Sequence, residues 1–89
     1  MQYWLYILQA QITDTFYTGS SDDPVRRLQY HNGESKGYTR QHRPWQLAYS
    51  HPFDSKEKAR KAERIVKSWK SKKMIRLLIN GTIDINNYL

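Results

Sequence analysis

The run Tyr3-Trp4-Leu5-Tyr6-Ile7-Leu8 limits the fold more than any other stretch of the chain. Tyr3, Leu5 and Ile7 fall on one side of a strand, and Trp4, Tyr6 and Leu8 on the other, so both sides are apolar. Such a strand needs cover on both faces and belongs at the centre of a sheet. Residues 15–19 form a second short aromatic strand. The link around Gln11 to Asp14 is short enough for a hairpin with a modest loop. With the turn centred near Gln11 and Ile12, Tyr6 and Tyr17 stand roughly opposite each other, and two phenols project from adjacent strands. Gly19 marks a bend or a close approach of backbone.

The downstream punctuation predicts helices. Asp23 is a good N-cap, Pro24 suits the first helical position, and Asn32-Gly33 is a stop signal. The polar stretch from Asn32 to Pro44 reads as a loop. Residues 46–50 alternate as a third strand, with Pro52 ending it. Asp54, with Glu57 three residues later, resembles a capping box at the start of a long helix. Ala59, Ala62, Ile65, Val66 and Trp69 form its apolar stripe. Ser71 caps a further helix through Ile79, and Gly81 closes it. Ile83, Ile85, Tyr88 and Leu89 are enough to dock the last residues on the core.

Eighty-nine residues predict one domain, spanning 1–89. A chain this short buries only about 60% of the surface it exposes when unfolded. Its three Trp, seven Tyr and two Phe compensate with large buried area per side chain. The absence of cysteine excludes disulfides and thiolate metal sites and accords with a reducing cytosol. The longest apolar run, Trp4 to Leu8, is far too short to cross a bilayer, and the N-terminus lacks a signal-peptide pattern. A soluble, cytoplasmic protein with no membrane partner is expected. The net charge is +7, and residues 54–76 carry the whole excess, with ten basic residues against three acids. A concentrated basic segment suits a polyanion, most often nucleic acid. The plainer reading is a solvated helix face.

Cutting a phosphodiester needs a base, a cation for the phosphate charge and a metal ligand, and residues of each type are present. Glu63 falls at the border of the apolar stripe. It either pairs with Arg60, Lys67 or Lys70 as a surface group, or binds a hard divalent cation. Arg27 either pairs back to Asp23 or holds a phosphate with its planar fork. His31 lies four residues further along the same helix face. It is either a polar side chain near a helix end or a proton acceptor at neutral pH. Tyr6 and Tyr17 are either core aromatics or, with a cation nearby to lower their pKa, candidate bases. No His/Cys cluster suggests zinc, and Gly-rich phosphate loops and a Ser/His/Asp arrangement are missing.

Taken together, Trp4-Leu5-Tyr6, Tyr17-Thr18-Gly19, Arg27, His31 and Glu63 resemble the GIY-YIG nuclease superfamily. Within it the chain is similar to small stand-alone bacterial members, which are like the UvrC N-terminal domain. Arg27-Leu28-Gln29-Tyr30-His31-Asn32 and Gly37-Tyr38-Thr39-Arg40 with Arg43-Pro44 extend the match over about residues 3–80. The departures are Trp4 for the first glycine, Ser20 where some relatives have lysine, and Ile75 where some have asparagine.

The resemblance implies an α+β, sandwich-like fold with a central three-stranded antiparallel sheet flanked by helices. It also implies hydrolysis of a DNA phosphodiester, in repair or processing, with one Mg²⁺ or Mn²⁺ ion and no small-molecule cofactor. Carried over by position, Tyr6 and Tyr17 are the signature tyrosines, Arg27 the phosphate-stabilising arginine and Glu63 the metal ligand. His31 takes a place that is His in some relatives and Tyr in others, and Tyr6, Tyr17 and His31 are all eligible as the general base. Lys36, Arg40, Arg43, Lys56, Arg60, Lys67 and Lys70 are expected to hold the DNA backbone with weak sequence specificity. The alternatives are a catalytically weak or inactive DNA- or RNA-binding module, and a protein-interaction domain docking an acidic partner.

Overall fold

The computed structural model describes residues 2–89; Met1, the first residue of the expected 1–89 domain, lies outside them. The strands are β1 (Tyr3–Ala10), β2 (Phe16–Ser21) and β3 (Trp45–Phe53). They form one antiparallel sheet in the order β2-β1-β3, so the strand that is apolar on both sides is the central one.

The hairpin register differs from the expectation. Tyr6 faces Gly19, and Leu8 faces Tyr17. The turn centre lies one residue later than anticipated because the link is wider than a tight turn, closed by Ala10 N–H donating to Thr15 O at 2.9 Å. Since side chains alternate with period two, Tyr6 and Tyr17 stay on one face as diagonal neighbours, with ring centroids 6.5 Å apart. The register also explains Gly19. A Cβ built there would sit 2.6 Å from the Tyr6 hydroxyl, so the phenol lies across bare backbone that only glycine supplies.

Helix α1 (Pro24–Gly33) starts as expected, with the Asp23 carboxylate accepting the Arg26 N–H at 3.1 Å. The expected loop from Asn32 to Pro44 contains a one-turn helix, α2 (Tyr38–Gln41), too short to leave an apolar period in sequence. Strand β3 is longer than expected and runs through Pro52. A proline is tolerated there because β3 is an edge strand. Helix α3 (Lys56–Trp69) is capped by Ser55, which accepts the Lys58 N–H at 3.2 Å, and not by Asp54. Asp54 pairs instead with the Lys58 ammonium at 3.2 Å. Helix α4 (Lys72–Ile79) is capped by Ser71 as expected, and a 3₁₀ turn, Ile85–Tyr88, follows.

Two cores lie on opposite faces of the sheet. On one, Leu5, Ile7 and Phe53 pack against Ala59, Ala62 and Val66 of α3, Leu78 of α4 and Ile85. On the other, Tyr6, Leu8, Ala10 and Trp45 pack with Leu28 of α1 and with Tyr17 and Leu47. Trp45 is anchored three times. Its N–H donates to Asn32 Oδ1 at 2.6 Å, its carbonyl accepts from Asn32 Nδ2 at 3.0 Å, and its indole donates to Thr39 O at 2.7 Å. The end of α1 and the start of β3 are thereby tied together. Among the described residues, no helix is long and apolar enough to cross a membrane.

Candidate active site

An open cleft of about 340 Å³ runs along the β2 edge of the sheet. Its wall takes Tyr6 from β1, Tyr17 and Ser20 from β2, Arg27 from α1, and Glu63 and Arg60 from α3. Residues 57 positions apart in sequence thus meet because α1 and α3 cover opposite faces of the sheet and both reach its edge strand. Gly19 carries no side chain there, so the Tyr6 phenol extends from the central strand across β2.

Behind the cleft, the Tyr6 hydroxyl is 3.1 Å from His31 Nε2. Both residues are almost wholly buried. Burial pushes the Tyr6 phenol up to about 12, and hydrogen bonding to the Arg27 guanidinium offsets only part of this. Burial, aided by the Arg27 charge, pulls the His31 imidazole down to about 4. Both groups are therefore neutral at neutral pH. His31 does not line the cleft; its ring packs tilted against the Tyr17 ring, with centroids 4.7 Å apart, and it reaches the site through Tyr6. Among the described residues, its Nδ1 has no hydrogen-bond partner.

Arg27 is half-buried and does not pair back to Asp23, because that carboxylate caps the helix and Asp22 pairs with Arg26 at 2.9 Å. Its guanidinium lies 4.6 Å from the Tyr30 ring centroid and has no carboxylate partner among the described residues. A cation without a counter-ion at a cleft is suited to a phosphate.

Glu63 makes the Lys67 pair of its plainer reading and a second bond to Ser20. Oε2 accepts from Lys67 Nζ at 2.5 Å, and Oε1 accepts from the Ser20 hydroxyl at 2.6 Å. The side chain is 21% exposed, against 52% for Lys67, so the carboxylate is held in the wall while the ammonium reaches in from solvent. Among the described residues, no three His, Cys, Asp or Glu side chains gather into a metal site. Among the described residues, Glu63 is the one carboxylate lining the cleft. One fixed carboxylate oxygen among hydroxyls suits a hard ion that keeps most of its water, as Mg²⁺ does.

The expected DNA-backbone residues are placed less evenly. Arg60 lines the cleft, and Lys67 is engaged on Glu63. Lys56 lies 5.6 Å from the centroid of the Tyr3 ring, itself part of the cleft wall. Lys70 ends α3 beside a neighbouring groove. Lys36 and Arg40 are exposed and do not line the cleft. Arg43 lies away from the cleft, and its guanidinium donates to Gly33 O at 2.7 Å, at the orphan carbonyls of the α1 end. Tyr3, Ser20 and Arg64 also line the cleft; Tyr3 was not a candidate, Ser20 was noted only as a departure from lysine, and Arg64 only as part of the basic segment. Arg64 had a usable signal, since Arg60 and Arg64 are four residues apart on one helix face. The bond from Ser20 to Glu63 left no local signal, because the two are 43 residues apart.

Comparison with known proteins gives a consistent picture. The family described as GIY-YIG catalytic domain matches residues 2–76. A UPF0213 protein of Staphylococcus saprophyticus is 32% identical over 81 residues, covering 90% of this chain and 98% of that protein. A UPF0213 protein of Haloquadratum walsbyi is 36% identical over 85 residues, covering 94% and 93% of the two chains. The solution NMR structure of a UPF0213 protein from Bacillus halodurans is 34% identical, with a TM-score of 0.54, covering 88% of this chain and 83% of that one.

Proposed function

The chain belongs to the GIY-YIG catalytic-domain family, which points to a nuclease in general, and on that premise we propose a divalent-metal-dependent DNA endonuclease. One observation carries the reading: Tyr6, Tyr17, Arg27 and Glu63, supplied by four different elements, line a single cleft. Residues 1–89 act as one domain in this reading, and the DNA is held mainly through its phosphates.

Glu63 would hold the Mg²⁺ or Mn²⁺ ion in the place that Lys67 takes on Oε2. When bound, the ion polarises the scissile phosphate and stabilises the leaving oxygen. Arg27 offsets charge growing on the phosphoryl oxygens. Tyr6 stays protonated with a phenol at about 12, so it donates a hydrogen bond and removes no proton. If His31 Nε2–H donates to the Tyr6 oxygen, the phenol proton is free to point at the phosphate. That tautomer leaves Nδ1 as a bare acceptor, which costs less than an orphan N–H. Tyr17, whose ring borders the cleft, is then the base that takes the proton from the attacking water.

The test is nicking of supercoiled plasmid with Mg²⁺, Mn²⁺ or EDTA. Metal-dependent nicking is expected, with a loss on the order of 100-fold or more for Arg27→Ala. Glu63→Ala should show no detectable nicking and near-normal DNA retardation in gels. Nicking by Glu63→Ala at the wild-type rate would remove the metal-ligand assignment. DNA retardation by the wild type without any nicking would leave a binding module.

A further inference from the structure

Beside the cleft lies a second groove of about 250 Å³, separated from it by Tyr17, which lines both. We propose that this groove receives an unpaired nucleobase, so that the substrate is single-stranded DNA or DNA with a base displaced from its stack; DNA as the partner rests on the nuclease reading above.

The groove has the composition that a flat, apolar, singly charged repeating ligand needs. Phe16, Val66 and Ile75 form an apolar floor, while Lys67 and Lys70 stand at its rim with Tyr38. Aromatic faces that stack bases, combined with cations that track phosphates, are the elements of single-strand recognition. A continuous duplex keeps its base faces covered by neighbouring pairs, so it offers nothing to an aromatic platform.

Tyr38 is built as a platform. It is 50% exposed, yet its ring is braced at 4.7 Å by His42 and at 6.4 Å by Trp45. Trp45 is itself buried, and its indole donates to Thr39 O in the same short helix at 2.7 Å. Trp45 also packs against Tyr17 at 6.3 Å, so the aromatic residue of each groove wall rests on one fixed indole. A stacking surface that is already immobile gives up little entropy when a base lands on it.

Lys67 and Lys70 bring cations to the same groove. Lys70 takes a left-handed backbone with φ of 49°, the one non-glycine positive φ among the described residues. That position at a helix end favours glycine or asparagine, so the chain keeps an ammonium at the rim against its backbone preference. Lys67 connects the two sites, lining the groove while its ammonium rests on Glu63. A strand whose phosphate enters the cleft would thus lay an adjoining base against Tyr38.

The test measures fluorescence anisotropy of labelled short oligonucleotides in EDTA, where no metal-dependent cleavage interferes. The probes are a single strand, a perfect duplex, and the duplex with one bulged base, at one fixed salt concentration. Wild type should bind the first and third more tightly than the perfect duplex. Tyr38→Ala should lose about tenfold on those two, within the range for one stacked base, and less than twofold on the perfect duplex. Tyr38→Trp should retain the preference, which separates lost stacking from lost folding. Equal wild-type affinity for all three probes, or a Tyr38→Ala loss equal on all three, overturns the proposal. Failure of the nuclease reading is separate: it appears as absent nicking, whatever Tyr38 does to binding. Nicking without any Tyr38 effect removes the groove alone.

Discussion

The two faces of β1 are equally buried and differently built. Leu5 and Ile7 sit in a hydrophobic cluster with side chains from α3, α4 and the last turn. Tyr6, one residue away, meets a phenol and an imidazole. Burial of hydrocarbon is non-directional and stabilises in rough proportion to area. Burial of a phenol against an imidazole is directional, and each polar atom left without a partner costs free energy. One face therefore holds the protein together, and the other also delivers a hydroxyl to the cleft. Stability and cleavage should separate along that line.

The largest stability effect is expected on the hydrocarbon face. Leu5→Ala should destabilise by ~2–5 kcal/mol in urea unfolding, while nicking per folded molecule stays near wild type. A proportionate loss of nicking by the folded fraction would show that the faces are not independent.

The aromatic face should reveal itself through pH. The His31 imidazole sits at about 4 in the folded chain, against an ordinary 6.5. Between these values the unfolded chain binds the proton first, so stability is full above pH 6.5 and falls as the pH drops towards 4. The extent is ~3 kcal/mol. His31→Gln should lack this component, while other groups titrate alike in both proteins. Identical acid sensitivity in the two proteins would contradict the buried, neutral imidazole.

Gly19→Ala sharpens the contrast from the other side. The added methyl meets the Tyr6 hydroxyl at 2.6 Å, and relief of such a clash costs ~1–3 kcal/mol. Nicking should fall by more than the unfolded fraction explains, because the phenol must leave its position. Unchanged nicking would separate Tyr6 from the reaction.

The smallest effect on stability is expected at the rim. Lys67→Met removes a half-exposed ion pair worth at most ~1 kcal/mol. Metal titration of nicking should then saturate at a lower Mg²⁺ concentration, because the ammonium no longer competes for Oε2 of Glu63. An unchanged titration would mean that the ion does not displace this ammonium.

How much of this was legible in the sequence follows the same division. The two-faced pattern of β1 depends only on local alternation, and it identified the central strand. The starts of α1 and α4 were equally local, since Asp23 and Ser71 are capping residues beside the turns they cap. The hairpin register was not legible, because it depends on how the link from Gln11 to Thr15 closes. Asp54 and Ser55 are both good caps, and only backbone geometry chooses between them. At the site, Tyr6, Tyr17, Arg27 and Glu63 each had a plainer reading when taken singly, and only the resemblance gathered them into one candidate set. The Ser20 and Lys67 bonds to Glu63, and the withdrawal of His31 behind Tyr6, arise from tertiary contact.

Pro52 has a consequence for how the molecule meets copies of itself. It lies opposite Trp4 within the edge strand β3. Proline has no N–H, and in such a strand its nitrogen faces away from the neighbouring strand. The outward row of donors is interrupted at that residue, so an incoming extended segment cannot form an unbroken ladder along β3. Edges that cannot be extended resist the sheet-to-sheet association that leads to aggregation. The opposite edge, β2, is the one that borders the reaction cleft.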